Sequence, residues 1–329
     1  MASIMHFLLT LLIPGSLGTY TIVCSDSGAK GKIDAAIQEA SAMASNAITQ
    51  IDDLSKDTTA AAFNPLFKAS DVRTLTSLYT SVKNIATIPL QITFYCEENH
   101  VDWSDAFGGW IDTAFTYTAS DGSTRHVPRY GPLPNEPHQK PGAKGSYTLL
   151  GYQIQLTSGV ADCSNQAHIY VSSTRVSPPK NGPLDHRTLA EINANGLLEG
   201  YTALDTLKPL SETIFHELMH AVGGLERPTG GKKRISDNPA PPVVLKKIYG
   251  FENCVAVNDK RLILILNGVT PLKRAECPMI LAKALYLQIK GKPTYWSTGA
   301  VDKDTLKPAG VSNPTPSSKM RRSILAWIA

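Results

Sequence analysis

A chain of 329 residues that is 42% hydrophobic and 18% charged is too apolar to be disordered, and its length suits one large domain or two small ones. Its 32 Lys and Arg against 28 Asp and Glu leave a net charge of +4 with no dense basic stripe, which argues against a nucleic-acid partner. Five cysteines are too few for a mini-protein that depends on disulfides alone.

The chain begins with a signature of export. Phe7 to Ile13 is a compact apolar run closed by Pro14 and Gly15, and Ser16-Leu17-Gly18 puts small residues where a signal peptidase reads. We read residues 1–18 as a secretory signal, which makes the expected product extracellular. The run is far shorter than the roughly 20 residues that cross a bilayer, and no later stretch reaches that length, so no membrane partner is expected. All five cysteines follow the cleavage point, enough for two disulfides and one thiol left over. No C-x-x-C pair suggests a cysteine-based zinc site, and no N-x-S/T sequon marks a glycan.

Apolar residues from Ile33 to Leu54 recur at helical spacing along one face. A second helix is expected from a cap at Ser70 or Asp71 through Ile85, ended by Pro89. Leu90 to Cys96 alternates as a strand does. Residues 97–185 are rich in Gly, Pro, Ser and Asp, with strand-like pieces at 114–118, 152–156 and 168–171; they read as one small irregular sheet with long loops. Helices return at Thr188–Leu198, at Ser211–Val222, and over 243–266 and 274–289. The segment after Thr298 is Pro- and Ser-rich and reads as a loose tail over 299–329. No linker separates two cores, so 19–298 is expected to form one α+β domain.

The chemistry concentrates in His216-Glu217-Leu218-Met219-His220, an HExxH motif. On a helix, positions i and i+4 share a face one turn apart, so both imidazoles can reach one Zn²⁺. Glu217 follows the first histidine and suits the role of general base toward an attacking water. Pro209, Ser211 and Glu212 signal a helix start, Gly223-Gly224 a stop, and Ile214, Leu218 and Val222 an apolar stripe. A catalytic zinc takes three protein ligands and keeps one position open. The third has several candidates. Glu226 lies six residues after His220 with Gly223 between, so the run matches HExxHxxGxxH with Glu in the last place. Asp237 lies farther along the same loop, and Glu276 on a later helix. Glu226 is the preferred choice because Gly223 can turn the chain back toward the metal.

Around this motif the sequence resembles the aspzincins, the fungal deuterolysin and peptidyl-Lys metallo-endopeptidase group. The resemblance rests on Cys24 before an Ala-rich helix, Phe94-Tyr95-Cys96, the late HExxH, Tyr249-Gly250 at the end of a GTxDxxYG-like stretch, and Ala275-Glu276-Cys277-Pro278-Met279 followed by Ala282-Lys283-Ala284-Leu285-Tyr286. It implies a zincin-like α+β fold, predominantly helical with a small irregular sheet and the HExxH motif on a central helix. It also implies one Zn²⁺ per chain, protein or peptide substrates, and Tyr249 as a hydroxyl donor to the oxyanion. In the family the third zinc ligand is the Asp of GTxDxxYG, and Lys246 stands at that position here. An ammonium cannot ligate zinc without losing its proton. Two functions therefore remain: a secreted zinc metallo-endopeptidase with His216, His220 and Glu226 as ligands, or an inactive secreted relative that binds without cleaving. The resemblance further implies a Cys24–Cys96 disulfide. A second bridge is expected between Cys163 and Cys254, leaving Cys277 free.

Overall fold

A computed structural model of the chain describes residues 20–97, 100–106, 109–118, 121–128, 151–154, 166–178, 180, 184–195, 204–223, 250–258 and 270–289. The expected signal at 1–18 and tail at 299–329 lie outside these residues. The fold mixes helices and strands, as the α+β expectation requires.

After a short strand β1 (Thr21–Val23), the first helix α1 (Ser27–Ile51) begins six residues before its apolar face does at Ile33. The reason is local. The Asp26 side chain accepts from the backbone N–H groups of Gly28 and Ala29, satisfying donors that have no partner within the helix. Ile33, Ala36, Ile37, Ala40, Met43, Ala44, Ala47 and Ile51 then form the buried stripe. A short helix α2 (Asp57–Phe63) and a 3-10 turn at Ala69–Asp71 lead into α3 (Val72–Lys83), which buries Leu75, Leu78, Tyr79 and Val82.

The described strands form two sheets rather than the single one expected. The larger has the order β1, β2 (Gln91–Tyr95), β7 (Gln166–Val171), β6 (Gly151–Ile154). β1, β2 and β7 run parallel, with Phe94 paired to Ile169, while β6 is antiparallel and forms an edge. The smaller sheet is antiparallel: β3 (Val101–Ser104), β4 (Gly109–Thr118) and β5 (Thr124–Pro128).

Alternation along the strands explains how the layers meet. Ile92 and Phe94 on β2, with Ala167, Ile169 and Val171 on β7, belong to the main apolar core. That core includes the buried faces of α1, α3, α6 (Leu210–Gly223) and α8 (Glu276–Ile289). The intervening Tyr95 and His168 meet the smaller sheet instead: the His168 ring stacks on Phe115 of β4 with centroids 4.3 Å apart. Two short helices, α4 (Ser173–Val176) and α5 (Leu189–Asn195), precede α6, and α7 (Phe251–Asn258) precedes α8. Of the helix expected over 243–266, only the α7 portion falls within the described residues. α1 packs against α3, α6 and α8, and α6 also lies against β6 and β7.

Candidate metal centre

Helix α6 is buried from Ser211 to Met219 and again from Ala221 to Gly223; only His220 breaks the run among residues 211–223. A helix enclosed on all sides must satisfy its polar side chains internally. Those of α6 are satisfied. The Ser211 hydroxyl donates to Glu39 on α1. Glu212 accepts from Lys208 at 2.6 Å and from Lys283 of α8 at 2.5 Å. Thr213 accepts from Arg175 at 2.9 Å.

One turn further on, His216 and His220 share a face as the i, i+4 spacing requires. Their rings meet edge to face, with centroids 4.9 Å apart, and their Nε2 atoms are 3.2 Å apart. Two Zn–N bonds of about 2.0–2.1 Å at a tetrahedral angle place the nitrogens roughly 3.3–3.4 Å apart. The pair is therefore spaced to hold one metal ion between them. Glu217 is buried beside His216 in sequence.

Behind His216 stands Glu276, the first residue of α8. Its Oε2 lies 3.0 Å from His216 Nδ1, and its Oε1 accepts from the backbone N–H of Gly250 at 2.9 Å. Glu276 was one candidate for the third ligand. While its carboxylate engages Nδ1 it is on the wrong side of the ring for an ion held at Nε2.

A buried set of charges anchors this arrangement. Lys283 has 0% exposure, yet its three donors are all taken, by Glu212 and by the carbonyls of Leu204 and Leu207 at 3.1 Å each. Burial alone would raise the Glu212 carboxyl, but Lys208 and Lys283 outweigh it and hold it at about 2. Asp205 responds the other way: burial raises it, against the pull of Lys283 and Lys208. Its two oxygens accept from Phe251 N at 3.0 Å, which ties the 204–206 turn to the start of α7. Glu276 and Lys283 are seven residues apart on α8, and they meet His216 and Glu212, four apart on α6. Two polar contacts at two levels thus fix the register of these antiparallel helices.

Glu226, Asp237, Lys246 and Tyr249 lie outside the described residues, as does Cys163. Among the described residues, no group of three His, Cys, Asp or Glu side chains is placed to hold a metal ion. The disulfides correct one expectation. Cys24–Cys96 forms, but the second bridge is Cys254–Cys277, joining α7 to α8, so Cys254 does not pair with Cys163 and Cys277 is not free. Cys277 adjoins Glu276, and the packing of α7 on α8 that brings its partner close is a tertiary contact with no mark in the sequence. No helix among the described residues is long and apolar enough to cross a membrane. The supporting residues Lys283, Asp205 and Arg175 were missed. Lys283 left a trace, as the single charge within the apolar run Met279–Leu287. No protein-family model, curated protein or solved structure matches the chain.

Proposed function

We propose that the chain is a secreted zinc-dependent metallo-endopeptidase of the zincin type. The observation that carries this reading is the pair of Nε2 atoms 3.2 Å apart on a buried helix, with Glu217 between the two histidines in sequence. A helix serving packing alone gains nothing from two converging imidazoles and an intervening acid in its interior. The aspzincin-like residues and the two disulfides agree with it.

In this reading His216 and His220 hold the ion and Glu226 supplies the third ligand. A zinc ion bound there would polarise the scissile carbonyl and acidify a water. Glu217 takes the proton from that water and returns it to the leaving amine. Tyr249 donates its hydroxyl to the oxygen that becomes negative as the water adds. The substrate is a peptide in extended form. β6 is the edge of the larger sheet among the described strands and packs against α6, and an edge strand can bind extended chains by backbone hydrogen bonds.

The test is metal content and casein cleavage of the purified full chain. About one zinc per chain is expected, lost when both histidines are replaced by Asn and sharply weakened by Glu226→Ala. A metal-replete wild-type protein that holds no zinc and cleaves nothing would sink the peptidase and leave an inactive binding relative.

A further inference from the structure

We infer that Glu276 is a positioning residue that sets the tautomer of His216, keeping the ring proton on Nδ1 and leaving Nε2 bare toward His220. The metal-binding purpose of this arrangement rests on the reading above; the tautomer itself does not.

The argument is one of donors and acceptors. An ionised carboxylate has no proton to give, so at 3.0 Å from Glu276 Oε2 the Nδ1 of His216 must be the donor. A neutral imidazole carries one ring proton, and Nε2 is then an acceptor. Glu276 cannot turn away cheaply, because its other oxygen holds the Gly250 N–H at 2.9 Å. That N–H is itself fixed. Gly250 has φ +88°, and a Cβ there would meet Asp205 Oδ2 at 3.0 Å, so the position admits glycine and little else. The next residue, Phe251, is tied to the same Asp205. Cys277, directly after Glu276, is bonded to Cys254 on α7. The carboxylate is thus held between a backbone N–H and an imidazole N–H by elements that cannot shift independently.

A second consequence follows at the other ring. The two Nε2 atoms are 3.2 Å apart, and a hydrogen bond between them needs one ring to donate. With the His216 Nε2 bare, the donor is His220. Binding an ion between them then requires the His220 Nε2 proton to leave.

A purely structural Glu276 and a tautomer-setting one respond differently to Glu276→Gln. Gln is nearly isosteric and keeps a carbonyl oxygen for the Gly250 N–H. Its NH₂ then faces His216 Nδ1 and demands an acceptor, which drives the ring proton to Nε2. A packing role predicts little change. The tautomer role predicts a reversed ring and zinc binding weaker by about 10- to 100-fold, whereas Glu276→Asp retains an acceptor and the wild-type tautomer.

The experiment is long-range ¹H–¹⁵N correlation of the imidazole nitrogens in the metal-free full chain, with His216 assigned by its loss in His216→Asn, together with zinc titration against a competing chelator. Expected are a protonated Nδ1 and bare Nε2 at His216 in wild type, the reverse in Glu276→Gln, and the stated loss of affinity. A wild-type His216 protonated at Nε2 overturns the inference, even if the Gln variant fails to fold. An unchanged tautomer and affinity in a folded Gln variant overturns it as well. A wild-type protein with the stated tautomer and no zinc affinity supports the inference and sinks the peptidase reading, so the two failures are distinguishable.

Discussion

His216 on α6 and His168 on β7 are built into the same local circuit. Each is buried, and each meets a carboxylate through Nδ1, at 3.0 Å from Glu276 and 2.7 Å from Asp112. Each carboxylate also accepts a backbone N–H at 2.9 Å, from Gly250 and from Ala114. What differs is the secondary structure beneath. A helix repeats a face every fourth residue, so His216 has His220 beside it. A strand sends alternate side chains to opposite sides, so the residues that share a face with His168 are two positions away, Gln166 and Tyr170, and neither is a second histidine. The ring of His168 is packed instead between Phe115 and Tyr95, with centroids at 4.3 and 5.1 Å. Burial and the nearby Asp112 push the Tyr95 hydroxyl up to about 12, so Tyr95 itself stays neutral at physiological pH. One circuit orients a ring toward a second imidazole. The other pins the smaller sheet onto the larger. A histidine–carboxylate pair is thus not itself a sign of chemistry; what faces the second nitrogen decides.

The contrast breaks most visibly at Glu217. Its replacement by Gln is expected to leave zinc content unchanged and to lower casein cleavage by about 10²–10⁴-fold, the usual worth of a general base. Equal cleavage by the variant would remove α6 from the chemistry. Next in size is the anchoring of α6. Lys283→Met deprives Glu212 of one of its two cations in a dry interior, and urea unfolding should show a loss of about 3–5 kcal/mol. A loss under 1 kcal/mol would mean that the buried ions do not hold the helix.

Asp112→Asn is the counterpart, on β4, of the Gln substitution at Glu276. The same reversal of tautomer is expected at His168, with a stability loss of about 1–3 kcal/mol and zinc affinity within two-fold of wild type. If zinc affinity fell as far as in Glu276→Gln, the division between a chemical pair and a structural pair would collapse.

The smallest effect is on acid tolerance. Glu212 is held at about 2 in the folded protein, below its ordinary 4.5, so its contribution is present above the ordinary value and disappears as the pH falls through the folded one. Stability should therefore decline between about pH 5 and pH 2. Asp205 acts in the opposite sense, because its raised carboxyl favours the fold at low pH and blunts the decline. Glu212→Gln should be less stable at neutral pH and show a flatter acid limb; an unchanged slope would reject Glu212 as the source.

The parts of this molecule legible in the sequence are those governed by short-range rules. The period of Ile33 to Ile51, the Pro and Gly punctuation around α6 and the i, i+4 histidines each need only a few neighbouring residues. α2 escaped notice because seven residues, Asp57 to Phe63, are too few to display a period. The split into two sheets escaped because parallel pairing joins strands some seventy residues apart, such as β1 with β2, and leaves no local mark. The same holds for Glu276. Its acid was visible as a possible ligand, but its place behind His216 depends on the packing of α8 on α6. Cys277 was misjudged on the same ground. The histidine pair is a property of one helix, and its support comes from the packing of others on it.

The Cys254–Cys277 bond spans 23 positions of chain and turns that stretch into a covalent ring. Under the proposed peptidase activity, the first substrate at hand would be another copy of the chain. A nick anywhere inside the ring opens a loop without freeing an end, so Glu276 and its grip on His216 stay attached to α7 through sulfur. Self-digestion at such a site would leave a single disulfide-joined protein under oxidising conditions, heavier only by the water that hydrolysis adds, and resolved into two pieces only once a reductant is added.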